Sequence, residues 1–511
     1  MTDLPGLSRR SLLVSAGVAG IAAATPGLAG CGASGDPAGG AHGDRLTLGT
    51  TQIMQFDPYQ TNSALHIHSF YSYLIDYAPG GYRTVPAGAE KWTIGSDFRS
   101  VTITLRAAKF HDGRAISAED VVAGVKRALN PKDGFTLVQP SEFIEKATAV
   151  DKRTVRIDFH YAVAEGIVLD WMFSFPLVPA DHNSGAALAN KPAGSGPFRL
   201  VEYDPNRRLR LARNADYWDK GKPRLKEIEF RFFQDDQAMV SALQSGDVDG
   251  AMYLEFNDVA QLKDQFTVAQ GSGRMDIFFM NGGMPPFDNV RLRQALARAI
   301  DREKIIKQVR FGIGDPVYAP IMPGSAGFDK SYLTSHAFDL DAAARLLKKA
   351  GGERRATAAV SSDPGASQMM QIIQDDFKKI GFELTLKPME ATAFLNDLFA
   401  GKLECCVANQ PNTLQSPGLV ARGRAMLPSQ DNVMMKNRVP QSYIDAVHAC
   451  NTATNAAAQR DAYARLNKVI VDGAWAVGIS TKKSLAGLRR QISGYAVDQR
   501  DYLILDNLRT R

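Results

Sequence analysis

Few side chains in this 511-residue chain stand at the spacings that reaction chemistry needs. His66 and His68 flank Ile67, and on a strand they would share a face and begin a metal grip. Two ligands are too few, and residues 65–75 read as helix, which separates the rings. His111-Asp112 could be an acid–base pair, but Gly113 follows, and a turn joining strand to helix accounts for both residues by local hydrogen bonding. Gly194-Ser195-Gly196 is not the Gly-x-Ser-x-Gly elbow that exposes a nucleophilic serine, and a Gly-Lys-Ser phosphate loop is absent from the sequence. Asp235, Asp236, Asp247 and Asp249 fall at the ends of a predicted helix and read as caps. Beyond Cys31 the cysteines are Cys405, Cys406 and Cys450; a bridge from Cys405 or Cys406 to Cys450 and buried free thiols both fit. An enzyme would need converging reactive groups that this pattern does not display, so the expectation is a non-enzyme without metal or cofactor. A binding protein needs only a lined cleft.

The elements that must line such a cleft are legible in the periodicity. Strict alternation marks a strand at 101–105, with others at 46–50, 154–159, 225–232 and 382–386. Ser117-Ala118-Glu119-Asp120 opens a helix whose Val121, Val122, Val125, Ala128 and Leu129 recur at helical spacing before Asn130-Pro131 stops it. Further helices are predicted at 237–245, 289–300, 369–380 and 456–471, with Asp301 capping another. Strands and helices alternate in clusters, which predicts mixed α/β with more than one domain.

The N-terminus speaks to location. Ser8-Arg9-Arg10-Ser11-Leu12-Leu13 is a twin-arginine pattern, and the uncharged stretch 12–30 follows it in the order of a signal peptide. Leu28-Ala29-Gly30-Cys31 resembles a bacterial lipobox, which makes 1–31 a lipoprotein signal and Cys31 the lipidated residue; a retained signal anchor is the alternative reading. Residues 32–44 are mostly Gly, Ala, Ser and Pro with little to bury, the composition of a flexible tether. The net charge of +6 arises from 60 basic and 54 acidic residues without a basic cluster, which argues against a nucleic-acid partner. The expectation is an exported protein, lipid-anchored on the outer face of the cytoplasmic membrane.

Three phrases then resemble one family. The first runs from Leu105-Arg106 through Lys109-Phe110-His111-Asp112-Gly113 into Ser117-Ala118-Glu119-Asp120-Val121. The second is Gly194-Ser195-Gly196-Pro197-Phe198 with Arg213-Asn214, Asp216-Tyr217-Trp218 and Lys222-Pro223. The third is Phe278-Phe279-Met280-Asn281, Pro286-Phe287-Asp288-Asn289-Val290-Arg291, Arg293-Gln294-Ala295-Leu296 and Ala299-Ile300-Asp301-Arg302. In this order they resemble the bacterial extracellular solute-binding proteins of family 5, receptors of dipeptide, oligopeptide and nickel importers. The resemblance implies an α/β, two-lobed periplasmic-binding-protein-like clamshell of class II type, its first lobe split into two subdomains. The implied boundaries are 45–72, 193–276 and 483–511 for the main part of lobe I, 73–192 for its extra subdomain, and 277–482 for lobe II. It also implies capture of a peptide or peptide-like solute and delivery to ABC-type permease and ATPase subunits. A sugar, metal-chelate or amide-rich metabolite receptor, a sensor without transport and a secreted hydrolase are the alternatives.

Specificity is where the chain departs from the family. Peptide receptors of the family carry a Trp and then an Asp that pairs with the peptide α-amino group, whereas residues 405–413 here contain neither. Burying an ammonium without its carboxylate costs several kcal/mol, which disfavours that mode of peptide binding. Asn409, Gln410 and Asn412 offer neutral hydrogen-bonding groups instead, and Arg422 and Arg424 could grip a carboxylate or phosphate, or simply face solvent. By position in the family fold, Phe56, Tyr59, Asn62 and Ser63 border the cleft, as ligand-stacking groups or as a capped turn over core aromatics, and Asn281 begins the second lobe at a hinge crossing.

Overall fold

A computed structural model describes residues 43–51, 56–60, 65–133, 137–188, 191–271, 274–411, 414–417 and 439–510. Three sheets of different make-up organise them. The largest has seven strands in the order Thr267–Gln270, Leu485–Leu488, Gly250–Met252, Arg45–Thr50, Glu227–Phe232, Arg208–Arg213 and Phe198–Asp204. The first strand of the chain lies at its centre, parallel to both neighbours, with Leu46 opposite Ile228 and Leu48 opposite Phe230. These four side chains are fully buried or nearly so, as alternation along a core-facing strand requires.

A four-stranded antiparallel sheet, Ala89–Ile94, Ser100–Leu105, Thr154–Phe159 and Ile144–Ala149, carries the helix Ala118–Ala128 on one face. That helix starts as its sequence demands: Asp120 accepts the backbone N–H of Ser117 at 2.8 Å, the reciprocal half of a capping box. The His111-Asp112 turn precedes it and is structural. The His111 ring bonds the Gly196 carbonyl at 3.0 Å, its backbone N–H donates to the Gly194 carbonyl, and Asp112 takes the Arg114 side chain at 2.8 Å. Two phrases distant in sequence therefore form one joint. Gly194 and Gly196 are glycines because a Cβ on either would collide with the backbone at Phe70.

The third sheet has five strands, Glu383–Met389, Arg355–Ser361, Cys405–Pro411, Arg274–Met280 and Ala476–Lys482. Arg355–Ser361 runs parallel to Glu383–Met389, joined through the helix Pro364–Lys379. The strand Arg274–Met280 is covered on both faces: Met275, Ile277 and Phe279 join one core cluster, and Phe278 and Met280 another. A strand buried on both sides reads as a continuous apolar run, which hides its period from the sequence. Adjacent cysteines point to opposite faces for the same reason, Cys405 into one cluster and Cys406, with Cys450, into the other. All three are buried free thiols, which decides between the two readings of their spacing.

Several boundaries differ from the pattern. The helix expected over 65–75 ends at Phe70, and Ile75–Tyr77 is a strand. The helix expected from 369 begins at Pro364, where Asp363 accepts the N–H of Gly365 at 2.8 Å and the fixed φ of proline suits the first turn. Asp235 caps its helix through the Ala238 N–H at 2.8 Å, while Asp249 instead accepts the Thr47 N–H of the neighbouring strand at 2.9 Å.

Candidate functional site

The chain passes between the seven- and five-stranded sheets at two adjacent places. One crossing leads from Gln270 to Arg274, the other from Lys482 to Leu485; Gln270 is in register with Leu485 and Arg274 with Lys482. The Gly271 N–H donates to the Ser484 carbonyl at 2.9 Å and ties the two together. Polar side chains collect here because the strands of the five-stranded sheet end at this point, leaving the apolar clusters behind.

Arg274 stands between the sheets. Its Nε lies 3.8 Å from the Asp501 carboxylate, which also accepts the Ser484 hydroxyl, and its Nη1 donates to Asn409 Oδ1 at 3.4 Å. Asn409 is opposite Asp276 in the register, and Asp276 is opposite Ser480, so the three form a row across the sheet. One Asp276 oxygen receives Arg310 Nε at 3.1 Å, Arg310 Nη2 at 2.8 Å and the Ser480 hydroxyl at 2.8 Å. The Arg310 guanidinium lies 4.5 Å from the centre of the Phe256 ring, on the helix Phe256–Leu262 that packs against Leu485–Leu488 of the other sheet. Lys482 is 3.4 Å from Asp363. Burial pushes the Glu255 carboxyl up and Asp363 adds to this, with Lys482 and Arg310 pulling the other way. Burial also acts on Asp363, but Lys482 and the N–H groups of Ala366 and Gly365 outweigh it and hold that carboxyl below its usual range.

Both signs of charge and several neutral donors and acceptors thus converge where two sheets meet. They are already paired with one another, which suits a floor that holds a polar solute by exchange of hydrogen bonds. Among the described residues, no group of three or more His, Cys, Asp or Glu side chains could hold a metal ion, and no helix is long and apolar enough to cross a membrane.

Of the residues proposed from sequence, Asn409 lies in this row, half-buried, and the Gln410 backbone pairs with Met275 in the same ladder. The Gln410 side chain and all of Cys31, Asn62, Ser63, Asn412, Arg422 and Arg424 lie outside the described residues. Phe56 and Tyr59 are 1% and 0% exposed and sit in the core. Phe56 meets the rings of Phe70 and Tyr203 edge-on, and Tyr59 lies under the Arg127 guanidinium at 4.4 Å, beside the buried Arg127–Asp57 pair at 2.5 Å. Asn281, expected at a crossing, is at the opposite end of its strand, roughly 20 Å along at the usual rise per residue. Its amide donates to the Gly401 and Leu403 carbonyls at 3.2 and 3.0 Å and accepts the Gly283 N–H at 3.0 Å, so it closes a turn. The crossing itself is at Arg274, three residues before the expected boundary. Sequence reasoning passed over Arg274, Asp276 and Arg310. Charged residues at i and i+2 opening an apolar strand were the available signal for the first two; Arg310, remote in sequence, had none.

Two open α/β sheets joined by paired crossings, with a polar floor between them, define a periplasmic-binding-protein clamshell. The chain superposes on NikA of Brucella suis, solved in complex with Fe(III)-EDTA, with a TM-score of 0.81 at 17% identity, covering 91% of this chain and all of that one. Residues 83–418 match the family model of bacterial extracellular solute-binding proteins, family 5 (middle), and the chain belongs to that family. It is 28% identical over 375 residues to di/tripeptide-binding protein 2 of Pseudomonas aeruginosa, spanning 66% of this chain and 70% of the relative. It is 27% identical over 358 residues to the glutathione-binding protein GsiB of Pectobacterium atrosepticum, spanning 68% and 69%. The protein is a solute-binding receptor.

Proposed function

We propose that the chain is the lipid-anchored receptor of an ABC-type importer, which captures a peptide-like solute between its lobes and presents the closed complex to permease and ATPase subunits. The lobes are taken as 45–72, 193–276 and 483–511 with the extra subdomain 73–192, against 277–482; the way the three sheets draw on these stretches supports the division, except that the strand Arg274–Met280 moves the boundary at 276/277 back to the crossing before Arg274. The observation that carries the reading is the row Asn409, Asp276 and Ser480 with Arg274 and Arg310 at the crossings, polar groups concentrated where a closing cleft would wrap its ligand. Relatives named for di/tripeptides and glutathione support a peptide-like ligand. Arg274 and Asn409 suit the carboxylates and amides of such a solute. Cys31 is taken as the lipidated residue, holding the body at the outer face of the cytoplasmic membrane.

Closure follows from differential contact: only groups that touch ligand in the closed form shift the balance toward it. Native mass spectrometry of the leaderless body, purified gently from its own host, tests the reading. A retained peptide-like mass is the expected outcome. Failure of peptides, sugars and chelates alike to raise the melting temperature would overturn it.

A further inference from the structure

A second meeting of chain segments lies away from the crossings, where the four-stranded-sheet unit touches the segment that leaves the strand Cys405–Pro411. Its centre is Asp170, on the helix Glu165–Ser174, with 0% of its surface exposed. The carboxylate accepts the Tyr77 hydroxyl at 2.7 Å from its own side, and from the other side the backbone N–H groups of Gln415 at 3.0 Å and Ser416 at 2.7 Å. Gln415 also donates its side-chain amide to the Tyr77 hydroxyl at 3.2 Å. Close by, the Ala164 N–H donates to the Asn451 carbonyl at 2.8 Å and the Tyr161 ring faces His448. Among the described residues no cation pairs with Asp170.

A carboxylate in this setting is costly unless its lone pairs are filled, and two of its three donors come from across the seam. Those donors are in reach only while the seam is shut; once it parts, water must take their place. The segment they belong to continues the strand that bears Asn409, so the same piece of chain forms the cleft floor and the far side of the seam. We propose that Asp170 is a latch: a positioning residue that holds residues 414–416 against the first lobe and gives the ligand-free receptor a closed form of its own. This goes beyond ligand capture, since it requires only that the seam opens.

The latch carries a pH dependence. Burial pushes the Asp170 carboxyl up to about 7, outweighing the Tyr77 hydroxyl and the two backbone N–H groups that favour the anion. The titratable groups facing it are Tyr77 and Tyr82 from its own unit and Tyr463 from the helix Ala456–Gly473, all phenols that burial keeps neutral. In an opened, hydrated seam the carboxyl returns toward about 3.9. The closed form therefore holds a proton that the open form releases between about pH 4 and 7, so closure weakens as pH rises through that window and stays at its weaker level above it.

The test is small-angle scattering of the chain stripped of ligand by unfolding and refolding, at pH 5.5, 7.0 and 8.5, with circular dichroism as a check of fold. Wild type expands as pH rises from 5.5 to 8.5. Asp170→Ala is expanded at every pH, and Asp170→Asn, which has no charge to bury, loses the pH dependence. Ser416→Pro removes a donor from the far side without touching the helix of Asp170, and it also expands. Equal dimensions for all four proteins at every pH would overturn the latch. So would expansion in Asp170→Ala but not in Ser416→Pro, because Asp170 would then act only within its own unit. Neither result would bear on whether a solute travels with the protein.

Discussion

Arg310 and Asp276 share a single carboxylate oxygen between two guanidinium nitrogens, and both side chains are nearly out of water. The Arg310 guanidinium lies against Phe256, on the helix that packs on the neighbouring sheet, so the pair belongs to the crossing and to the floor of the cleft together. Removing two charges from water is expensive, and the geometry repays it only while both partners are present.

Asp276→Ala should therefore destabilise the protein by about 3–5 kcal/mol, because it strands a buried guanidinium. Asp276→Ala with Arg310→Met should cost less than the sum of the single changes, since the double variant buries no unpaired charge. Urea unfolding of the leaderless body measures both, and single-variant losses below about 1 kcal/mol would show that water reaches the site.

Asn281 provides a contrasting case. Asn281→Ala leaves the Gly401 and Leu403 carbonyls without their donor, a cost of about 1–3 kcal/mol. Ligand affinity should stay within twofold of wild type, because the residue lies at the far end of its strand from the crossing. A large loss of affinity with unchanged stability would return Asn281 to the binding surface.

Much of this was legible in the sequence and some was not, for physical reasons. Elements with one wet face declared themselves: the alternating strand at Ser100–Leu105 and the capped helix at Ala118–Ala128 lie where pattern and cap put them. Arg274–Met280 and Cys405–Pro411 were harder, because strands buried on both faces have no polar period to read. The family phrases gave the fold because they are joints, as the His111–Gly196 bond illustrates. Ligand contacts come from register, and neither Asn409 opposite Asp276 nor Arg310 reaching it across 34 residues has a local signature.

Acid sensitivity should have an identifiable contributor. Burial holds the His111 imidazole below its ordinary range, and the neutral ring donates through Nε2 to the Gly196 carbonyl. The unfolded chain then binds this proton more readily than the folded one. His111 thus contributes stability that is complete above about pH 6.5 and declines as pH falls below it. His111→Gln should flatten the fall in melting temperature between pH 6.5 and 5; an unchanged slope would place the sensitivity elsewhere.

The cysteines predict silence. Burial pushes the Cys406 and Cys450 thiols up to about 12 and raises Cys405 as well, so the reactive thiolate is scarce and unreachable. A chromogenic disulfide reagent should label none of the three in the native protein and all three in denaturant, and reductant should leave the melting temperature unchanged. Rapid native labelling of one thiol, or a reductant-sensitive melt, would contradict free buried cysteines.

Arg274 bears most directly on capture. Its ion pair with Asp501 is long, 3.8 Å, and its bond to Asn409 is 3.4 Å, with the Tyr502 hydroxyl as a further neutral partner, so a solute carboxylate could compete for it. A hydrogen bond to a charged group contributes about 1.5–3 kcal/mol, which corresponds to roughly ten- to a hundredfold in affinity. Arg274→Ala should weaken binding of the co-purified solute by that factor while the melting temperature of the ligand-free protein moves little. Arg274→Lys should recover only part of the loss, because a point charge cannot span two acceptors as a planar fork does. Calorimetric titration of the three proteins decides it: equal affinities would remove Arg274 from the site, and full recovery by lysine would reduce its role to charge alone.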